Sequence, residues 1–287
     1  MAGGEAVIAN VSDTARWVAA YRALETARPD ALFRDPLADR LAGAHGHTII
    51  ETTPRFMRSG WPVVTRTKLM DDLIAASIAE GCDRVLNLAA GLDTRPYRLE
   101  LPAEFVWVEA DLPDLLAEKE RVLAGETPRC TLIRRAVDLA DTDARAAFLN
   151  EALGPLGAAG APAKQALVLT EGLLFYLDAD TVAALADALT RPEIAWWIAD
   201  LVRHIDSKRS GSMFENAPMK FEPADGVGFL EQRGWPVVEV ANLFVQACKL
   251  RRAPWYLRPL RVLPSPDPRD PGRRPWSVVV RMRNGRR

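Results

Sequence analysis

Cysteine is scarce in this chain, and its spacing excludes two uses of it. Cys82, Cys130 and Cys248 are odd in number and far apart, so they supply neither a disulfide framework nor the paired spacing of a zinc site. Reduced, mostly buried thiols are expected. Histidine is equally rare: His45 and His47 share a glycine-rich stretch that lacks a third ligand, and His204 stands far from both, so no metal is expected. Residues Met1 to Asn10 lack the basic start and apolar core of a signal peptide, and no apolar run is long enough to span a bilayer. Neither sign of charge is in excess. A formal net charge of −1 over 287 residues argues against a nucleic-acid groove or a polybasic membrane surface, and the late arginines Arg281, Arg283, Arg286 and Arg287 read as a solvated tail. The expectation is a cytoplasmic protein whose partners include neither nucleic acid nor membrane, with its oligomeric state open.

What is present is an ordinary globular balance, 48% apolar and 26% charged, enough for one large α/β domain with a substantial core. The chain is organised around RVLNLAAGLDTRPYRL, Arg84 to Leu99. Val85, Leu86 and Leu88 read as a buried parallel strand. Ala89, Ala90 and Gly91 then give a turn with almost no side chain, where a ligand can lie against the backbone. Asp93 and Thr94 can cap a helix beginning near Pro96. The next apolar run starts at Phe105 and ends in Glu109-Ala110-Asp111, and Asp111 lies 20 positions beyond Gly91. That is the spacing at which an acid at the tip of a second strand meets a ribose. The pattern points to adenosine binding, with Glu109 as the fallback acid.

Along the chain, Ser12 and Asp13 can cap a helix carrying Trp17, Tyr21 and Leu24 on one face. A short second helix runs through Leu37 and Leu41, and Gly43 to Val64 reads either as a lid or as a packed connection. An amphipathic helix is predicted from Arg66 to Glu80. Further strands are expected over Thr131 to Val137, Ala166 to Leu169 and Ile194 to Ile198, with helices between them, as a parallel sheet requires. A polar loop near residues 202–225 should overhang the strand ends. Two last strands, Val237 to Val240 and Ser277 to Met282, flank a proline-rich excursion.

NLAAGLDTRPYRL, the upstream RTKLMDDL at Arg66 to Leu73, the downstream EGLLFYL at Glu171 to Leu177, and the opening WVAAYRALETARPDALFRDPLADRLAG from Trp17 together resemble the leucine carboxyl methyltransferase family, in its bacterial branch of S-adenosylmethionine-dependent enzymes. One departure is Ala89, where the family usually has glycine. The resemblance implies a doubly wound class I methyltransferase (Rossmann-like) sheet, mostly parallel with an antiparallel last strand. It also implies a helical cap over about residues 12–65, a core over 66–287, and S-adenosyl-L-methionine as cofactor. By the same resemblance Arg66, with Thr67 beside it, would hold the cofactor carboxylate. Asp138 and Leu139 would meet adenine, Glu171 the ammonium group, and Tyr176, beside Phe175, the acceptor.

Methyl transfer needs alignment and exclusion of water rather than a covalent intermediate. His204, after the fifth strand, is the candidate general base, with Arg203 before it. Arg55, Arg58 and Arg203 would suit an acidic acceptor, whereas Trp61, Met213, Phe214, Trp255 and Tyr256 would suit an aromatic one. The expected reaction is O-methylation of a small carboxylate or phenol, with C- or N-methylation of an aromatic such as an indole as the alternative. A nicotinamide oxidoreductase fits less well, because the turn lacks three spaced glycines. A non-catalytic cofactor-binding module is the remaining rival.

Overall fold

The computed structural model describes residues 11–53, 58–156, 160–203, 219–272 and 274–286. The sheet is built from seven strands: β1 (Arg84–Leu88), β2 (Val106–Asp111), β3 (Thr131–Ala136), β4 (Ala166–Thr170), β5 (Ile194–Arg203), β6 (Val237–Asn242) and β7 (Trp276–Arg283), in the order β3-β2-β1-β4-β5-β7-β6. β1 pairs in parallel with β2 and β4, β2 with β3, and β4 with β5, while β7 runs antiparallel to both β5 and β6. β1, β2 and β4 are buried along their whole length, which is why they appear in the sequence as apolar runs without alternation.

Helices cover both faces. Leu86, Leu88, Val108, Val168 and Trp197 pack with α6 (Thr142–Leu153) and α7 (Ala179–Leu189), while Val85, Trp107, Leu167, Ile198 and Val279 pack with Met70 and Ile74 of α3 (Trp61–Ala79). A third cluster joins α1 (Val11–Thr26) and α2 (Ala38–Thr52) to Leu92, beyond β1, and to Leu115 of α5 (Pro113–Val122). The helical cap therefore rests on the carboxyl ends of β1 and β2. Ion pairs and hydrogen bonds fasten it there: Arg22 donates to Asp35 at 2.8 Å and to the Leu92 carbonyl at 2.6 Å, Arg16 meets Glu118 of α5 at 2.6 Å, and Arg252 meets Glu25 at 2.8 Å.

Three sequence expectations need correction. α2 continues to Thr52 across a kink at Gly43, so His45 and His47 sit on a helix, bonded to Asp13 and Asp39. α3 begins at Trp61, not Arg66. Its start is set by Gly60, at φ +58°, where a methyl group would meet the Tyr21 ring at 2.2 Å. Arg66 consequently lies inside the helix rather than at its start. β5 runs on to Arg203, past the residue at which the polar loop is expected to begin. The three cysteines are buried free thiols, and no helix among the described residues is long and apolar enough to cross a membrane.

Candidate active site

The chain leaves β1 through two left-handed residues, Ala89 at φ +52° and Gly91 at φ +50°. A left-handed alanine costs about 1–2 kcal/mol, so the turn holds Ala89 in a conformation glycine would adopt freely. The Gly91 N–H donates to Asp111 Oδ2 at 2.5 Å, and the Leu112 N–H donates to Asp111 Oδ1 at 2.7 Å. Asp111 thus ties the tip of β2 to the turn after β1. Burial pushes its carboxyl above the usual range, against the pull of the Gly91 and Leu112 N–H groups. A cavity of about 310 Å³ opens there, lined by Ser12 of α1 and by Asp111, Leu112, Pro113, Asp114 and Leu115. Glu109 does not stand in reserve for Asp111. It is fully buried, bound to Lys119 at 2.8 Å and Arg134 at 2.9 Å.

Beneath this turn lies a continuous ion network. Arg66 donates from Nε to Glu171 at 3.0 Å and from Nη1 to Asp200 at 2.9 Å. Arg95 donates to Glu171 at 2.7 Å, to Asp71 at 2.7 Å and to Asp93 at 2.8 Å. Arg98 binds Asp71 at 2.7 Å and approaches Asp35, the partner of Arg22, at 4.0 Å. Four arginines thus face five carboxylates, which leaves one negative charge uncompensated within the network. Burial opposes the charged form of Glu171, yet the Arg95 and Arg66 charges hold its carboxyl below the usual range. Burial pushes Asp200 up, against Arg66 and the Gly172 N–H, which donates to it at 2.8 Å. The network role of Asp200, Arg95, Asp71 and Asp93, the last read only as a helix cap, escaped the sequence reading. The available signal was Asp200 itself, an acid inside the otherwise apolar Ile198-Ala199-Asp200-Leu201-Val202.

The remaining candidates separate. Thr67 is buried beside Arg66 on α3, and its hydroxyl has no partner among the described residues. Asp138 is exposed just past β3 and accepts the Ala140 N–H at 2.9 Å, while Leu139 is half-buried against the core. Tyr176 ends a 3₁₀ turn, Leu174–Tyr176, that follows β4. Burial pushes its phenol up, with Thr14 and Arg66 acting in the opposite sense. Arg203 is half-buried at the carboxyl end of β5, and its side chain has no hydrogen-bond or ion-pair partner among the described residues. His204, Arg55, Met213 and Phe214 lie outside the described residues. The proposed aromatic enclosure is not assembled by what remains. Trp61 packs edge-on against Phe244 at 5.8 Å, and Trp255 and Tyr256 are exposed on a separate excursion. Arg58 bonds the carbonyls of Thr53 and Glu51 at the end of α2.

The family profile of leucine carboxyl methyltransferase matches residues 15–190. A candidate S-adenosyl-L-methionine-dependent methyltransferase of Frankia alni is 33% identical over 253 residues, covering 82% of this chain and 85% of that one. Another, from Streptomyces avermitilis, is 31% identical over 280 residues, covering 90% and 92%. Among solved structures, a DUF574 family protein of Streptomyces avermitilis matches with a TM-score of 0.57 at 14% identity, over 94% of this chain and 97% of that one. A Thermobifida fusca protein described as a candidate methyltransferase gives 0.54 at 14% identity, over 97% and 96%. These two structures share the fold, including the Rossmann-like mostly parallel sheet. The chain belongs to the leucine carboxyl methyltransferase family and is one of its bacterial S-adenosylmethionine-dependent methyltransferases.

Proposed function

We propose that this enzyme methylates an oxygen of a small acidic acceptor, a carboxylate before a phenol. The observation that carries the reading is Arg203, a half-buried cation at the carboxyl end of β5 with no acidic partner among the described residues. A guanidinium in that setting favours an anionic ligand that can take its fork of donors.

The residues around it suit the cofactor of the family. Gly91 admits close backbone approach, and the cavity beside Asp111 has the size and acidic wall for a ribose. The unpartnered Thr67 hydroxyl and the spare Arg66 Nη2 would take the amino acid carboxylate. The excess of one carboxylate over the arginines in the network that includes Glu171 and Asp200 favours the cationic end of such a ligand. Asp138 and Leu139 would border the adenine. When bound, S-adenosylmethionine supplies an electrophilic methyl group on a sulfonium. Arg203 would hold the acceptor carboxylate in line. Tyr176, kept protonated by its burial, acts as a hydrogen-bond donor to the acceptor and not as a base. A carboxylate needs no proton removed at neutral pH, so alignment and water exclusion under α1 suffice.

The test is transfer of a radiolabelled methyl group to a panel of carboxylic acids, phenols and indoles, followed by alkali treatment of the product. A methyl ester releases labelled methanol, whereas an aryl ether or a C- or N-methyl product does not. Arg203→Ala should raise the KM for the acceptor at least tenfold with a smaller change in kcat. An alkali-stable product on an indole, with KM indifferent to Arg203, would overturn the proposal.

A further inference from the structure

The excursion between α9 (Leu243–Lys249) and β7 carries most of the large apolar side chains that the described surface exposes. Trp255 is 79% exposed and Val262 81%, with Tyr256 at 50%, Leu260 at 49% and Leu263 at 61%. Residues 259–265 are exposed without exception, so this turn stands out from the body instead of lining a groove. Its backbone closes through bonds three residues apart, Leu257 to Pro254, Arg258 to Trp255, Leu260 to Leu257 and Leu263 to Leu260. That spacing stacks Trp255, Arg258 and Arg261 on one edge, and Leu257, Leu260 and Leu263 on another.

The charge carried by the turn's own sequence has one sign. From Lys249 to Leu263 the sequence holds five basic residues and no acidic one, a concentration that the overall charge of −1 conceals. Arg252 is spent on Glu25 and Asp30, and Arg258 donates to the carbonyls of Ala253 and Arg251, which leaves its charge uncancelled. Lys249, Arg251 and Arg261 are exposed and form no ion pair among the described residues. The base of the turn is anchored where Ala253 packs with Ala247 and Cys248 of α9, next to Trp61 at the start of α3. Its far end enters β7 at Trp276, opposite Arg203. The protrusion is thus on the strand-end side of the sheet that carries the active site.

We infer that this turn docks the enzyme on an anionic lipid surface, with Trp255, Tyr256, Leu260, Val262 and Leu263 entering the interface and the flanking cations meeting the headgroups. Protruding side chains suit a yielding, unshaped partner, and tryptophan and tyrosine favour the boundary between water and lipid. Basic residues beside such an anchor add affinity for anionic headgroups that falls with salt. A second copy of this chain fits less well, because a two-fold contact would bring the same uncompensated cations against each other. The inference does not depend on the acceptor proposed above, and its failure leaves that reading intact.

The experiment is co-sedimentation of the full chain with vesicles of phosphatidylcholine, alone or mixed with phosphatidylglycerol, at low and high salt. Wild type should bind the mixed vesicles about tenfold more strongly than the neutral ones and lose that advantage in high salt. Val262→Asp/Leu263→Asp and, separately, Arg261→Glu should each weaken binding to mixed vesicles at least tenfold. Both variants should keep the wild-type melting temperature and affinity for S-adenosylhomocysteine, since the altered residues are exposed. Absence of vesicle binding, or equal binding to both compositions at all salt concentrations, would overturn the inference. So would light scattering that finds a dimer abolished by Val262→Asp/Leu263→Asp in a protein that ignores vesicles.

Discussion

Replacing Arg66 by leucine tests the ion network through its pH dependence. Among the described residues Arg66 is the only arginine bound to Asp200, and it shares Glu171 with Arg95. Both carboxylates are buried or nearly so, at 2% and 15% side-chain exposure. Among the described residues, removing the shared cation leaves Asp200 with the Gly172 N–H and Glu171 with Arg95. Breaking a buried pair from one side costs about 3–5 kcal/mol, a large share of the roughly 5–15 kcal/mol that holds a domain folded. The sign with pH follows from the acids left behind. Asp200 is already raised by its burial, with Arg66 as the foremost opposing influence, and Arg66 also helps lower Glu171. Without Arg66 both carboxyls move up. A carboxyl whose folded pKa stands above its unfolded value favours folding while protonated, and that contribution is lost as the pH rises through the folded pKa. The stability deficit of Arg66→Leu should therefore be greatest near pH 8 and shrink toward pH 5. Urea denaturation of both proteins across that range measures it. Adding Asp200→Asn, whose amide oxygen can keep the Gly172 N–H, should recover part of the loss at neutral pH. An equal deficit at pH 5 and pH 8 would refute the reasoning.

Further expectations concern the turn after β1 and the tip of β2. Asp111→Asn should weaken S-adenosylmethionine binding by about 1.5–3 kcal/mol, more than tenfold by calorimetry, through loss of charge-assisted hydrogen bonds. Glu109→Gln should instead cost stability while leaving the cofactor Kd within about twofold, because Glu109 is committed to Lys119 and Arg134; the opposite pattern would restore Glu109 as the ribose partner. Ala89→Gly should be neutral to stabilising by up to about 1 kcal/mol, since relief of a left-handed alanine outweighs the added freedom of the unfolded chain. Ala89→Val at the same φ should destabilise, and a valine variant as stable as wild type would mean the turn relaxes readily.

The parallel strands were legible because burial on both faces leaves uninterrupted apolar runs, and the position of Asp111 at the tip of β2 because its distance from Gly91 reflects one strand–helix–strand unit. The start of α3 was not legible. It depends on Gly60 fitting beneath the Tyr21 ring, a contact between residues far apart in the chain. The same holds for the ion network. Arg95 sits in the recognised motif beside Asp93, but its other two acids lie 24 and 76 positions away at Asp71 and Glu171, so a local reading sees only a charged helix start. Arg58 and Trp61 show the converse error. Residue type suggested an acceptor site, while one closes the end of α2 and the other packs under α9.

The antiparallel strand has a consequence for how the chain is made. β7 lies between β5 and β6, so β6 has no neighbour in the sheet until residues 276–283 have left the ribosome. Until then one backbone edge of β5, beside the buried Trp196 and Trp197, offers unpaired N–H and C=O groups to any extended segment nearby. The β3-β2-β1-β4-β5 portion, with Asp111 and Glu171 already in place, can form before that edge is closed. Nascent chains are then most prone to cross-associate late in translation. Interruption within 276–283 should yield insoluble protein rather than a weakened enzyme.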